Sequence, residues 1–251
     1  MTIQPLLDPE PHLRANRHFW CDPVGSLPDA DLPIYRSDVG SALCNGVLRV
    51  RNRPLDKAID DARRQLAGTR WSWWVGPDSE EGTAEGLIAR GAEPSVVMSI
   101  MTVDVSTVTD PTAANDVSIG PVTGRAELQE YVQAYATVFG YDQNELGRAI
   151  EHEQRLVPSS VVRLAAVADG RTVGTCTVSL LTEIGALYYV TTHQGWRRQG
   201  IATALTREAL HVIRESGRRV ATLQASSDGE LVYRGLGFQT VGQYRLFTLP
   251  E

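Results

Sequence analysis

The stretch GWRRQGIATALTREALHVI, residues 195–213, begins with a turn bounded by two glycines and continues directly into an amphipathic helical pattern. Apolar side chains recur on one face of that helix, at Ile201, Leu205, Ala209, Val212 and Ile213. Such a stripe packs a helix against a sheet. The small residues Gly200 and Ala202 let a ligand approach the backbone of the turn closely. The pattern therefore predicts a helix that is fixed along its length and open at its N-terminus.

The turn favours an anionic ligand. The first N–H groups of a helix have no partner within the helix and lie at the positive end of its dipole. Arg197 and Arg198 add two positive charges beside them. The spacing of the glycines matches a phosphate loop, but Ile201 and Ala202 stand where a triphosphate-binding loop needs Lys and then Ser or Thr. We therefore expect a diphosphate held without a metal ion.

The sequence around this stretch predicts the rest of a sheet. The expected helices are residues 125–140, 144–156 (ended by Pro158) and 228–236, and the expected strands are residues 161–168, 171–180, 184–192, 219–226 and 244–249. Asp169 and Gly170 form a hairpin signal between the first two of these strands. A meander with one strand-helix-strand crossover predicts an α/β protein of the α+β sandwich type, rather than a doubly wound nucleotide-binding fold.

The first part of the chain predicts a second, smaller α/β unit. Its expected elements are a helix at residues 56–67, a short aromatic strand WSWW at 71–74, a helix capped by Asp78 or Ser79, and a buried strand at 95–105. The aromatic strand either anchors a small core or lines an acceptor pocket. Residues 104–124 are rich in Thr, Asp, Gly and Pro, which is typical of a connection. We therefore predict two domains, residues 1–116 and 117–251.

Composition argues against several classes of function. A formal net charge of −6 disfavours sequence-independent binding to nucleic acid, because such binding needs many basic residues. Cys21, Cys44 and Cys176 are odd in number and lack metal-ligand spacing, so neither a disulfide framework nor a zinc site is expected. The sequence has no secretory-signal pattern and no apolar stretch long enough to span a bilayer. We expect a cytoplasmic protein with no nucleic-acid or membrane partner.

Two motifs in the second part of the chain resemble those of one family. The run RRQGIA at residues 197–202 resembles the Q/R-x-x-G-x-G/A signature of the GNAT superfamily of acyl-CoA-dependent acyltransferases. The preceding strand, which ends YYVTT, and the run VYRGLGF at residues 232–238 are similar to that family's strand and to its LYxxxGF ending. The resemblance covers residues 117–251 and implies a GNAT-like mixed, mostly antiparallel sheet flanked by helices. Residues 1–116 are similar to the degenerate N-terminal copy of tandem two-domain members.

The resemblance also implies where coenzyme A binds. The turn and the start of the helix would hold the diphosphate, through Arg197, Arg198, Gln199, Gly200, Ile201, Ala202 and Thr203. Val190 and Thr192 match the strand edge that pairs with pantetheine in the family. Ser226 stands where many members have an Asn that faces the pantetheine, and its side chain reaches less far.

Acyl transfer to an amine requires a free lone pair on nitrogen, a donor for the developing oxyanion, and a proton for the leaving thiolate. The resemblance implies that Tyr233 is the general acid; the other interpretation is that its ring only packs in the core. The Val190 N–H is the simplest oxyanion donor. Two side chains are candidates for the base: Glu183, which is otherwise a solvated hairpin residue, and His193 acting through water.

The sequence therefore predicts an N-acyltransferase that moves an acetyl group from acetyl-CoA to an amine of a small molecule or peptide. We expect a ternary complex, because no nucleophile is indicated for a covalent intermediate. We expect no metal cofactor, and a protein that acts as a monomer or homodimer. Two alternatives remain open: a noncatalytic acyl-CoA-binding regulatory protein, and another reaction of a CoA thioester, such as decarboxylation, on the same scaffold.

Overall fold

The structure is a computed structural model that describes residues 4–109, 117–156 and 159–250. Its helices are α1 (Gln4–Leu7), α2 (Pro9–Cys21), α3 (Leu55–Gln65), α4 (Thr83–Ile88), α5 (Arg125–Phe139), α6 (Leu146–Arg155), α7 (Ile201–Glu215) and α8 (Ser227–Gly235). Its strands are β1 (Ile34–Arg36), β2 (Asn45–Val47), β3 (Ser72–Val75), β4 (Glu93–Asp104), β5 (Ser118–Pro121), β6 (Val161–Ala168), β7 (Arg171–Ser179), β8 (Gly185–Thr192), β9 (Val220–Ala225) and β10 (Gln239–Thr248). The predicted domain boundary at residue 116 and the predicted helix end at Pro158 lie outside the described residues.

The described strands form one mixed sheet in the order β1-β2-β3-β10-β4-β9-β8-β7-β6-β5. The neighbouring pairs β8–β9 and β2–β3 are parallel, and the other pairs of this sheet are antiparallel. The predicted mostly antiparallel sheet flanked by helices is therefore confirmed. The unit β8-α7-β9 is the predicted crossover. The unit β2-α3-β3 was not predicted as a crossover, because β2 has only three residues and carries no periodic signal.

An exchange of strands joins the two parts of the chain. β4, from the first part, lies between β9 and β10, while β10, from the second part, lies between β3 and β4. Ser99 of β4 pairs with Ala225 on one side and with Gln243 on the other. Phe19 of α2 also stacks on Tyr188 of β8, with ring centroids 3.5 Å apart. The first part thus shares both its sheet and a core cluster with the second.

The predicted cap of α4 was wrong. The helix begins at Thr83, after Gly82, which has a left-handed φ of 78° and no capping side chain. Asp78 instead forms a buried ion pair with Arg17, and Arg49 lies 3.7 Å from the same carboxylate oxygen. A buried carboxylate is retained only when it is paired, so Asp78 serves the core rather than the helix end.

The strand predicted to be buried, β4, is buried only from Ser99 to Val103. Val96 and Val97 are 36% and 51% exposed. The reason is the length of β9, which ends at Ala225 opposite Ser99, so the first residues of β4 pair with β10 alone.

Helix α7 packs against the sheet through the apolar face that its sequence predicts. Ile201, Leu205, Ala209 and Ile213 are buried in one core cluster with side chains of β6, β7, β8 and β9. Gly174 of β7 lies directly beneath the start of the helix: a Cβ there would lie 2.9 Å from carbons of both Ile201 and Leu205. The missing side chain at Gly174 therefore sets how closely the helix approaches the sheet.

Gly174→Ala is expected to lower the free energy of unfolding by roughly 1–3 kcal/mol, because the added methyl group must displace α7. Chemical denaturation followed by circular dichroism measures this change. Gly147→Ala in α6 is the matched control: a Cβ there meets no atom within 4 Å, so its stability should be equal or slightly higher. A Gly174→Ala variant as stable as the unmodified protein would contradict the close packing of α7.

Candidate active site

The sheet opens between the parallel strands β8 and β9. Their register begins with Gly185 opposite Ala221 and ends with Leu187 opposite Leu223, although both strands continue further. Beyond that pair the described strands have no register with each other. Backbone groups along such a gap can pair with an extended ligand, in the manner of an added strand.

A β-bulge shapes the β8 side of this gap. Between two regular pairs of β7 and β8, Tyr189 and Val190 together lie opposite Cys176. Tyr189 has a φ of 49°, which a bulky residue adopts only at an energetic cost. The Thr175 hydroxyl donates to the Tyr189 carbonyl at 2.7 Å, and the Tyr189 ring stacks on Tyr135 with centroids 4.5 Å apart. Within the described sheet, Val190 therefore has no registered strand partner on either side.

The turn after β8 leads into an uncapped helix. Arg198 and Gly200 have positive φ values of 61° and 81°. No side chain caps α7, and its first backbone bond runs from the Ala204 N–H to the Gly200 carbonyl at 2.9 Å. The N–H groups of residues 201–203 thus have no helical or capping partner among the described residues. An added Cβ at Gly200 would meet no atom within 4 Å, so this turn is open to a ligand.

Positive charge surrounds the turn. Arg197 and Arg198 are exposed, and within the described ranges neither of them pairs with an acidic side chain. Arg197 Nε lies 3.4 Å from the Thr192 carbonyl, and Gln199 Nε2 lies 3.4 Å from the Gly195 carbonyl. Two guanidinium groups that form no ion pair with a described acidic side chain thus lie beside the positive end of α7. Such an arrangement can hold a diphosphate without a metal ion.

A cavity of about 200 Å³ occupies the gap between β8 and β9. Both parts of the chain line it: Trp20, Leu43, Trp74 and Met98 from the first part, Phe139 and Tyr141 at the end of α5, and residues of β8, β9 and α8 that include Val190, Ser226 and Tyr233. None of the described lining residues is Asp, Glu, Lys, Arg or His. The walls are therefore mostly aromatic and apolar, with a few hydroxyl and amide groups.

A wider cleft of about 1040 Å³ adjoins this cavity and shares Leu43, Phe139 and Tyr141 with it. Its walls are polar and carry charges of both signs, such as Arg70 and Glu151. The cleft lies between the first part of the chain and the α5–α6 region. It offers a route to the cavity for a second, polar ligand.

Tyr233 lies on α8 and is only 8% exposed. Its ring contacts Phe238 edge to face, with centroids 5.7 Å apart, and it also lines the cavity together with Val190. The two interpretations of this residue are thus compatible, since it packs in the core and faces the gap. Burial raises the pKa of the Tyr233 phenol, which therefore keeps its proton at neutral pH. Its hydroxyl makes no hydrogen bond to a described residue.

Ser226 and Thr192 lie on opposite sides of the gap. Ser226 caps α8 by accepting a hydrogen bond from the Gly229 N–H at 3.3 Å, which occupies the side chain expected to face pantetheine. The Thr192 hydroxyl is buried without a hydrogen-bond partner among the described residues. A ligand strand beside β8 could supply that partner.

The structure does not bring Glu183 to the cavity. Glu183 precedes β8 and pairs with Arg14 at 3.1 Å, with 54% and 41% of the two side chains exposed. At about 3.3 Å per residue, roughly 20 Å of strand separates it from Tyr189. The predicted base role of Glu183 therefore has no support in the geometry. His193 is exposed, and its Nδ1 accepts from the Gly195 N–H at 3.4 Å.

Several residues at the site were not predicted. Trp20 lies on α2, and Cys44 lies just before β2, where its sulfur is 2.9 Å from the Tyr141 hydroxyl. Their own sequence neighbourhoods carry no signal, because only the tertiary fold brings them beside β8. The two interpretations of the aromatic strand WSWW apply to different residues. Trp73 is buried in a core cluster, while Trp74 lines the cavity and its indole N–H donates to the Tyr35 hydroxyl at 3.1 Å.

The described residues were also compared with what a metal site or a membrane-spanning helix requires, and neither is present among them. No group of three or more His, Cys, Asp or Glu side chains that could hold a metal ion occurs among them. No described helix is both long and apolar enough to cross a membrane.

Comparison with solved structures shows a shared fold. A GCN5-related N-acetyltransferase from Kribbella flavida has a TM-score of 0.72 at 15% identity, with 96% of this chain and 96% of that chain covered. One from Sphaerobacter thermophilus has a TM-score of 0.61 at 22% identity, covering 76% of this chain and 64% of that one. A tandem GNAT protein from the clavulanic acid biosynthesis pathway has a TM-score of 0.60 at 14% identity, covering 88% and 79%.

One of two sequence comparisons assigns a family to the second part of the chain. No curated protein matches the sequence. The family model of the acetyltransferase (GNAT) domain matches residues 127–247, which contain the bulge in β8, the turn before α7 and Tyr233. Residues 127–247 are therefore an acetyltransferase domain of the GNAT family.

Proposed function

We propose that this protein is an N-acetyltransferase that transfers the acetyl group of acetyl-CoA to an amine. One observation carries the proposal: the unpaired backbone of β8 at Val190 opens into the cavity lined by Tyr233, and the same strand continues into the uncapped start of α7. An acyl donor with a diphosphate at one end and a thioester at the other fits this arrangement. The GNAT domain match supports the same reaction class.

The coenzyme would be held by backbone groups more than by side chains. The N–H groups of residues 198–203 and the guanidinium groups of Arg197 and Arg198 are the ligands for its diphosphate. The edge of β8 from Val190 to Thr192 is the partner for its pantetheine amides. Acetyl-CoA would supply the thioester: the amine nitrogen bonds to its carbonyl carbon, the carbon–sulfur bond breaks, and coenzyme A leaves as the free thiol.

The cavity favours a neutral amine. An alkyl ammonium has a pKa near ~10 in water, and burial without a negative partner disfavours its charged form. Since no acidic side chain is among the described lining residues, an amine that enters loses its proton to the solvent of the adjoining cleft. The nitrogen lone pair is then free to attack, and Glu183 is not needed as a base.

Val190 and Tyr233 serve the remaining steps of the transfer. The Val190 N–H donates to the oxygen that becomes negative as nitrogen adds to the carbonyl carbon. When the carbon–sulfur bond breaks, the nitrogen loses one proton and the sulfur gains one, so the reaction needs no other proton source. Because burial raises the pKa of Tyr233 above that of a thiol at ~8.5, its phenol stabilises the leaving sulfur by donating a hydrogen bond.

Coenzyme A is expected to bind the purified protein in a calorimetric titration, and acetyl-CoA to release thiol with at least one class of amine. Arg197→Ala and Arg198→Ala should each weaken coenzyme A binding about tenfold, because each removes a charge-assisted contact to phosphate. Lys57→Ala on α3 removes an exposed cation elsewhere and should leave the Kd unchanged. Binding without thiol release would favour a regulatory protein, and absence of binding would refute the proposal.

Tyr233→Phe should lower kcat by about 10²-fold, because the leaving sulfur loses its hydrogen-bond donor. The Kd for coenzyme A should not change, since the ring and its contact with Phe238 remain. Steady-state thiol release and calorimetry measure the two quantities separately. An unchanged kcat would remove Tyr233 from the reaction and leave it only a packing role.

A further inference from the structure

Gln224 is a polar side chain at the point where the sheet opens. It lies on β9, paired with Ile100 of β4, immediately after Leu223, the last residue that pairs with β8. Leu223 and Ala225 belong to the core cluster of α7, and side chains alternate along a strand. Gln224 therefore points away from α7, into the part of the cavity lined by Trp74 and Met98.

The described residues leave the Gln224 carboxamide unsatisfied. Its Nε2 is buried and makes no hydrogen bond to any described residue. Burying an unpaired amide opposes folding, so an orphan group of this kind requires an explanation. The carboxamide faces a cavity rather than a packed core, and it can present either an acceptor oxygen or a donor nitrogen. A ligand in the cavity would satisfy it.

The chemical character of the cavity walls around Gln224 indicates which kind of ligand fits there. Trp20, Trp74, Phe139 and Tyr141 supply aromatic surface, and none of the described lining residues is acidic. A dry cavity of about 150 Å³ holds a benzene molecule. The cavity of about 200 Å³ and the adjoining cleft, which shares Phe139 and Tyr141 with it, therefore have room for a ring-sized apolar group beside the acetyl group of the donor. A polycation would find no counter-charge there, and its desolvation would be unfavourable.

We infer that Gln224 binds the acceptor amine, and that the cavity selects amines carried on an apolar body, such as arylalkylamines, over polyamines. With its amide turned so that the oxygen takes the buried position of Nε2, Gln224 accepts one N–H of the neutral amine. The nitrogen lone pair is then free to attack. The aromatic walls bind the apolar body through dispersion and burial. This inference rests on the proposed function, because it assigns the second substrate of the same cavity.

The test uses 2-phenylethylamine and spermidine as probes with the 251-residue chain saturated with coenzyme A. Titration calorimetry should show binding of 2-phenylethylamine at least about tenfold tighter than that of spermidine. Gln224→Met keeps the shape of the side chain without its polar atoms, and should weaken 2-phenylethylamine binding about tenfold while leaving the Kd for coenzyme A unchanged. The same variant should raise Tm by roughly 2–4 °C, because the buried orphan amide is gone. Gln243→Met on β10 is the control, since Gln243 is an exposed strand glutamine of the same sheet, and neither quantity should change.

Four results would overturn the inference: no binding of 2-phenylethylamine, tighter binding of spermidine, unchanged affinity of the Gln224→Met variant for 2-phenylethylamine, or a lower Tm of that variant. A different result would refute the proposed function: the unmodified protein would not bind coenzyme A. If coenzyme A binds and thiol is released with spermidine but not with 2-phenylethylamine, the acetyltransferase stands and only the assignment of the acceptor is wrong.

Discussion

The separation of β8 and β9 after a short parallel register is the constraint on which the site depends. If the two parallel strands stayed paired beyond Leu187 and Leu223, the sheet would be closed there. No space would then remain between the ends of β8 and β9. The bulge at Tyr189 directs the free backbone of β8 into that space, and its unfavourable φ is held by the Thr175 hydroxyl and the Tyr135 ring. The uncapped start of α7 follows from the same strand. The proposed pocket for the acyl group and the proposed anion site therefore both depend on one opening.

The exchange of β4 and β10 explains how the first part of the chain contributes to this opening. Because β4 lies beside β9, it carries Met98 to the cavity, and β3 follows on the far side of β10 with Trp74. Helix α2 adds Trp20 and the stacked ring of Phe19. The sequence of the first part contains no R-x-x-G-x-A run like that before α7. Without the first part, however, the cavity would lose a wall. Its proposed contribution is the recognition of the acceptor rather than of the coenzyme.

Sequence patterns predicted the features of the structure that depend on residues close together along the chain. The apolar stripe of α7, the glycine turn before it and the hairpin at Asp169 and Gly170 are properties of neighbouring residues, and the structure has them where the sequence indicates. Glu183 shows the limit of that logic: it is near β8 along the chain, but it pairs with Arg14 before the strand begins, and its role as a base stays a prediction. Trp20, Cys44 and Gln224 meet the site only through the tertiary fold. The bulge at Tyr189 has no sequence signature, since it depends on the register between two strands. The roles assigned to the coenzyme-binding residues and to Tyr233 stay predictions.

The proposed coenzyme site is tested most directly by following backbone amide chemical shifts while coenzyme A is added. We predict that the amides of residues 198–203 and of Val190 shift most and saturate together, because in the proposed complex they bind the diphosphate and line the path of the pantetheine. Saturating shifts confined to other parts of the chain, with these amides unmoved, would contradict the claim that the opening between β8 and β9 is the coenzyme site.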